Sequence, residues 1–268
     1  MTPENTISVP LRNNAARLVI DSLDFAWPNG QTVFKDFSLQ VEPGEFVAIL
    51  GPSGCGKTTL LNLLSGFQQP TAGSVKINHA AVRPEMRELG YVFQSPHLFP
   101  WLNALDNVRF GLRMEQRLSV AGQIERAQQY LTLVGLEKAA GKLPHQLSGG
   151  MQQRVSLART LAMEPTLLLM DEPFAALDAI TRNAMNEETL RLWSQLKQTV
   201  VFITHDIDEA IFLADRVVVL GIAPEGIRNV LDIDLPRPRS NHETRRLPQF
   251  LVYRNALMEQ ISLAILND

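Results

Sequence analysis

The 268-residue chain is long enough for one large domain with a buried core, and its composition is that of an ordinary globular protein. Lys and Arg number 25 against 28 Asp and Glu, a net charge of −3, so no overall basic field argues for a nucleic-acid partner. The single cysteine, Cys55, excludes an internal disulfide framework and fits a reducing, cytoplasmic compartment.

The first residues, MTPENTISVPLRNN, are acidic and polar where a signal peptide needs a basic start and an apolar run, which argues against export. Residues 18–25 and 33–41 alternate apolar and polar side chains, and the WPNG between them is a turn signal, so an antiparallel hairpin is expected. FVAIL at 46–50 reads as a short buried strand running into GPSGCGKT, with the helical stretch TTLLNLLSGF behind it. Between 104 and 135 the spacing of Ala104, Val108, Leu112, Ile124, Ala127, Tyr130, Leu131 and Val134 is helical, and 95–160 reads as mostly helical. From 166 onward short apolar runs alternate with amphipathic ones, the mark of a parallel sheet. DLPRPRSNHETRR at 234–246 reads as a connector and 247–266 as an amphipathic closing helix. No apolar run approaches the roughly 18 to 20 residues that span a bilayer, so work at a membrane would need another anchor.

Gly51-Pro52-Ser53-Gly54-Cys55-Gly56-Lys57-Thr58 fulfils the phosphate-loop pattern GxxxxGK[ST] between a predicted strand and a predicted helix. Glycines let the backbone curl so that successive N–H groups face phosphate oxygens, and the following helix start, with Thr59 in its first turn, adds favourable potential. Lys57 is expected on the β- and γ-phosphates of ATP and the Thr58 hydroxyl on Mg²⁺. Cys55 reads as filler at a permissive position, with a redox role as the alternative. The strand TLLLM ends in Asp171 and Glu172, which suits Asp171 as an acidic ligand on the Mg²⁺ side and Glu172 as the general base that polarises water.

LSGGMQQR at 147–154 precedes that acidic pair by about twenty residues. It resembles the signature sequence of ABC ATPases, and the order of motifs from 18 to 220 is similar to one of their nucleotide-binding domains. The resemblance implies an α/β fold: a RecA-like parallel-sheet core with the phosphate loop, an N-terminal antiparallel β subdomain and a helical signature subdomain. It implies that Gln94 is the Q-loop glutamine beside the catalytic and metal groups, Ala176-Leu177-Asp178 the D-loop and His205 the switch histidine. Trp27 is the first candidate for stacking on adenine and Phe25 the second. Two domains of such ATPases pack head to tail, each lending Ser148, Gly149 and Gly150 to the γ-phosphate held by the other, so a dimer of two copies or two paralogues is expected. That accounts for two glycine-rich anion devices on one chain.

A lone cassette without a membrane span resembles the ATPase subunit of a bacterial importer, with an exporter subunit or a soluble non-transport ATPase as the alternatives. The resemblance implies a separate transmembrane permease, indirectly a solute-binding protein, and a peripheral place on the cytoplasmic face of the inner membrane. LFPWLNALDNVRFGL, MDEPFAALDAITR and DIDLPRPR are similar to the nitrate, sulfonate and taurine importer group, which usually carries Gly where this chain has Ala175. Domain bounds of 17–231 for the ATPase and 232–268 for a connector and helix follow. Leu98, Phe99, Trp101 and Leu102 read either as a permease-docking groove or as helical-subdomain core. The arginines at 237, 239, 245 and 246 read as a solvated connector, with attraction to a membrane surface as the alternative.

Overall fold

Alternating burial along Leu18–Ala26 (β1) and Thr32–Val41 (β2) makes the expected antiparallel pair, with Leu18 opposite Val41 and Phe25 opposite Phe34. In this computed structural model, which describes residues 15–266, the turn between them places Gly30 at φ 87°, a backbone that glycine adopts without strain. The reading of the first fourteen residues as unlike an export signal lies outside the described residues. Ala72–Ile77 (β4) and Ala80–Ala81 (β5) complete a four-stranded sheet in the order β2-β1-β4-β5.

The second sheet holds Phe46–Leu50 (β3), Leu89–Val92 (β6), Leu167–Asp171 (β7), Thr199–Ile203 (β8), Arg216–Leu220 (β9) and Ile227–Asp232 (β10), in the order β10-β9-β3-β8-β7-β6. Its four pairings from β9 to β6 run parallel as expected, and β10 adds an antiparallel edge that the sequence did not announce. β3 and β8 are buried at every residue because both faces are covered. Phe46, Ala48 and Leu50 face the helices, while Val47 and Ile49 face the antiparallel sheet and Leu60, Leu61 and Leu63 of Lys57–Leu64 (α1).

Ala104–Glu115 (α2), Val120–Leu133 (α3) and Gly149–Leu161 (α4) form the helical region. Three parts of the expected helix are absent, one of them 134–148, which holds only the short 3-10 turns Glu137–Ala139 and Pro144–Gln146. Residues 94–103 run without a helix, and the 104–135 pattern breaks at Gln116, which sits at φ 54° before Ser119 caps α3. Of the eight residues in that pattern only Ile124 turns outward. Ala179–Leu196 (α5) and Ile207–Leu213 (α6) cover the parallel sheet, and Asn241–Thr244 (α7) and Pro248–Leu266 (α8) close the chain. Among the described residues no helix is long and apolar enough to cross a membrane.

At Arg239 the C-terminal segment corrects the reading of a solvated connector. Ile233, Leu235, Phe250 and Leu257 join the larger core, and Arg239 is buried with them. Its guanidinium donates to the carbonyls of Ile211, Phe212 and Ala214 at the end of α6, and to those of Ile233 and Leu235. Those C-terminal carbonyls lack helical partners, and a cation there also meets the negative end of the helix dipole. Burial, helped by Arg237, lowers the Arg239 pKa to about 10, which leaves it charged at neutral pH. Arg237 pairs with Asp215 at 2.7 Å and Arg245 with Asp208 at 3.5 Å. Only Arg246 of the four is a plainly exposed side chain without such a partner among the described residues. Along α8 the apolar residues circle the helix: Phe250 and Leu257 are buried, but Leu251, Val252, Met258 and Leu263 are exposed, so the amphipathic expectation holds for the inner face alone.

Arg239→Ala would strand five carbonyl oxygens, and the free energy of unfolding should fall by about 3 kcal/mol or more, with Arg239→Lys recovering only part. Urea midpoints measure this, and an unchanged midpoint for the alanine variant would remove Arg239 from that role.

Candidate functional site

Register fixes where the site lies. Ile49 pairs with Ile203, Ile203 with Asp171, and Met170 with Val92, so β3, β8, β7 and β6 end at one level. The loops leaving those carboxyl ends carry the predicted residues, at the edge where parallel sheets gather ligands.

At the end of β3, Gly51 is buried, and a Cβ there would lie 2.6 Å from Cys55 Sγ and 3.1 Å from Leu220 O. Gly56 sits at φ 99° with no room for a side chain, since a Cβ would meet Val33 Cγ1 at 2.7 Å and Phe34 Cζ at 2.9 Å. The hairpin therefore backs directly onto the loop. Pro52 and Thr59 are half-buried, while Ser53, Gly54 and Thr58 are exposed. α1 starts without a side-chain cap, so no side chain takes its first-turn N–H groups. Lys57 Nζ donates to Gly51 O at 2.8 Å and Pro52 O at 2.9 Å, which holds the ammonium across the loop. Cys55 is buried, and burial pushes its thiol up, away from the reactive thiolate form. Of the two aromatic candidates, Phe25 is core and Trp27 is half-buried, standing edge-on to it at 5.0 Å.

Asp171 is partly buried, and burial and the neighbouring Glu172 carboxylate raise its pKa against the opposing influence of the Tyr91 hydroxyl and Lys57. Glu172 adopts φ 40°, its N–H donates to Ile203 O, and its Oε2 lies 2.9 Å from Nδ1 of the exposed His205. Gln94 is exposed two residues beyond β6. The signature helix holds its loop: Gln153 Nε2 donates to Phe93 O at 3.2 Å, and Arg159 donates to Pro96 O and His97 O.

Ser148 caps α4, accepting from Met151 N at 3.3 Å; Ser148 and Gly149 are exposed, and Gly150 is buried against Thr181. Asp178 is a helix cap. Its Oδ1 accepts from the N–H groups of Ile180 and Thr181, and its Oδ2 accepts from Thr181 Oγ1 at 2.7 Å, which holds its carboxyl below the usual range. Asp178 thus orders its loop rather than presenting an uncommitted carboxylate. Among the described residues no hydrogen bond joins Ser148–Gly150 to the phosphate loop. Ala175 lies outside the left-handed region, so its methyl needs no backbone strain.

The two readings of 98–102 divide by residue. Trp101 is 73% exposed, whereas Leu98 packs against the core and Phe99 lies on Phe110 at 4.3 Å. Asn107, which the sequence reading passed over, fastens this segment: it is fully buried, accepts from Phe99 N, and donates to the carbonyls of Phe99, Leu102 and Asn103. A polar side chain on the Ala104/Val108/Leu112 stripe was the available signal. Arg182 and Glu209 were also missed. Glu209 is buried in α6, and its carboxyl accepts from Oγ1 of Thr204, the residue before His205. Burial raises its pKa to about 7, with Asp206 raising it further and Thr204, Asn186 and Arg182 opposing.

An acid whose pKa rises on folding stabilises the fold below its unfolded pKa and loses that contribution as pH climbs through its folded pKa. Glu209 should therefore weaken the fold progressively between pH 4.5 and about 7. Glu209→Gln should remove that slope, gaining up to roughly 3 kcal/mol relative to wild type between pH 4.5 and 8. Parallel pH profiles of unfolding free energy for the two proteins would refute the assignment.

A family model described as ABC transporter matches residues 34–175. The chain is 44% identical over 238 residues to a nitrate import ATP-binding protein of Synechococcus elongatus, covering 88% of this chain and 87% of that protein. It is 45% identical over 252 residues to a taurine import ATP-binding protein of Pseudomonas aeruginosa, covering 91% and 95%. A solved ATP-binding cassette, described as a dimer in a post-hydrolysis state bound to ADP and Pi, superposes with a TM-score of 0.69 at 33% identity, covering 81% of this chain and 98% of that one.

Proposed function

The chain belongs to the ABC transporter family, and from that premise we propose that it is the ATP-hydrolysing subunit of an importer. The observation that carries this reading is the common level of the phosphate loop, Asp171, Glu172 and His205 at the carboxyl ends of β3, β7 and β8.

Trp27 stacks on adenine. The N–H groups of Gly51 to Thr59 and the uncapped start of α1 receive the phosphates, with the Lys57 ammonium turned from the loop carbonyls to the β- and γ-phosphates. Glu172 is the general base. Because His205 Nδ1 occupies Oε2, Oε1 is the oxygen that takes the proton of the attacking water. Asp171 and Thr58 fit Mg²⁺, which takes few protein oxygens and completes its shell with water and phosphate; Asp171 is crowded by a second carboxylate that Lys57 only partly offsets. Gln94, exposed two residues beyond β6, would be the third protein group to hold the ion. When bound, the ion neutralises charge on the β- and γ-phosphates.

Two copies pack head to tail. Ser148, Gly149 and the buried Gly150 at the exposed start of α4 serve the γ-phosphate of the partner's site, with the Asp178-capped loop alongside. The ATPase body spans 17–231 with its helical subdomain at about 95–160, and 232–268 is a C-terminal appendage packed on it. The dimer sits on the cytoplasmic face of the inner membrane under separate permease subunits, which receive solute from a binding protein. Solutes of the nitrate, sulfonate or taurine type are the proposed cargo. Trp101, held out by the Asn107-fastened segment, supplies the apolar contact to the permease.

Glu172→Gln should keep nucleotide binding while ATP turnover falls about 10²-fold or more, as read by phosphate release and equilibrium binding; near-normal turnover would remove Glu172 as the base. Trp101→Glu should abolish co-purification with the permease encoded beside this chain while leaving the melting temperature unchanged. Retained co-purification would place docking elsewhere.

A further inference from the structure

Arg182 lies in the first turns of α5, its side chain 26% exposed. Nε donates to Phe174 O at 3.3 Å, and one terminal nitrogen donates to Ala175 O at 3.4 Å and Leu177 O at 2.9 Å. The other terminal nitrogen meets Asp206 Oδ2 at 3.4 Å. Three acceptors thus belong to the loop from Glu172 to Asp178, and the fourth to the residue after His205. Only a planar guanidinium, with five N–H donors in a fixed fork, reaches all of them.

Asp206 is itself fixed. Its Oδ1 accepts from Glu209 N at 3.0 Å, capping α6, and its N–H donates to Thr204 Oγ1 at 3.0 Å. Thr204 donates in turn to Glu209, so His205 sits between two anchored side chains, one of them tied to Arg182. On the far side, α4 presses on the same turn of α5. A Cβ at Gly150 would lie 2.7 Å from Thr181 Cγ2, and the Thr181 hydroxyl is pinned on Asp178. The start of the signature helix, the Glu172–Asp178 loop and the His205 segment therefore meet at the first turn of α5, the first against Thr181 and the other two through its neighbour Arg182.

We propose that Arg182 is a positioning residue for ATP hydrolysis, tying the loop that carries Glu172 to Asp206 so that the start of α4 and the Glu172–His205 pair keep one geometry. This rests on the reading of Glu172 as the base. Arg182 touches no reacting atom. Seating of the α4 end on a partner's phosphate loads the first turn of α5 through Thr181, and Arg182 passes that load to both anchors of the 2.9 Å Glu172–His205 contact. Without the guanidinium, three loop carbonyls and Asp206 lose their common donor and the base loses its alignment with water.

The test measures kcat, KM for ATP and melting temperature on the full-length chain for wild type, Arg182→Met, Arg182→Lys, Asp206→Asn, the Met/Asn double variant and Glu172→Gln. Arg182→Met should lower kcat about 10- to 100-fold with KM within about threefold, since misplacement of a reacting group acts on the chemical step. Lys should recover part of the rate, because an ammonium reaches Asp206 but cannot span the carbonyls. Asp206→Asn still caps α6, so its fold persists while the link to Arg182 weakens, and its kcat should fall in the same direction. The double variant should fall no further than Arg182→Met, the sign of one shared interaction. An unchanged kcat in Arg182→Met, additive losses in the double variant, or a rate that merely follows the folded fraction each overturns the proposal. If Arg182→Met does not fold, an unchanged kcat in Asp206→Asn overturns it. Wild-type turnover lost in Glu172→Gln but kept in Arg182→Met sinks the positioning role alone, whereas full turnover in Glu172→Gln sinks the reading beneath it.

Discussion

Parallel hydrogen bonding among β3, β8, β7 and β6 is the constraint on which the site depends. Four segments distant in sequence contribute one loop each, and only their common register brings Gly51, Asp171, His205 and Gln94 to one edge. Parallel strands need cover on both faces, which explains why β3 and β8 read as unbroken apolar runs and why each strand is followed by a crossover or a packed helix. The antiparallel sheet is the cover on one side. It also sets the back wall of the phosphate loop through Val33 and Phe34.

Polar side chains, more than apolar ones, hold the loops at that edge. Asn107 fastens 99–103, Gln153 and Arg159 fasten 93–97, and Arg182 gathers 174–177. Each satisfies backbone carbonyls that strand and helix geometry leave without partners, where a missing partner would cost about 1–3 kcal/mol. Two of these donors, Gln153 and Arg159, lie on the helix opened by Ser148. The helix opened by Ser148 is therefore tied to the Gln94 loop on both sides of Gln94, at Phe93 and at Pro96 and His97.

Local pattern made much of this legible. The hairpin, the strand–loop–helix at 46–64 and the strand–helix alternation after 166 follow from periods of 2 and 3.6, which depend only on neighbours in sequence. The phosphate loop was legible because its glycines answer a local backbone demand. What stayed hidden depends on contacts made far along the chain. Arg239 looks like a charge in a Pro-rich connector until the end of α6 arrives with its unpaired carbonyls, and β10 has so mixed a pattern that only pairing with β9 defines it. Asp178 was read for its position in a motif, yet its side chain serves α5 as a cap, a role that a Ser/Thr/Asp/Asn at a helix start already announces.

Glu172 shows why the acidic pair needs more than two adjacent carboxylates. In a continuing strand, residues 171 and 172 would face opposite sides of the sheet. The backbone at Glu172 instead turns to φ 40°, which breaks the alternation and sends its carboxylate to His205 while Asp171 stays at the strand end. A non-glycine residue there carries strain of about 1–3 kcal/mol, so its surroundings must over-determine the turn. They do so from both sides: the Glu172 N–H is held by Ile203 O, Ala175 N donates to Glu172 O, and Phe174 is buried in the core beside Phe202. Glycine would relax the backbone but remove the proposed base, so strain at this position is inseparable from having a carboxylate aimed at His205.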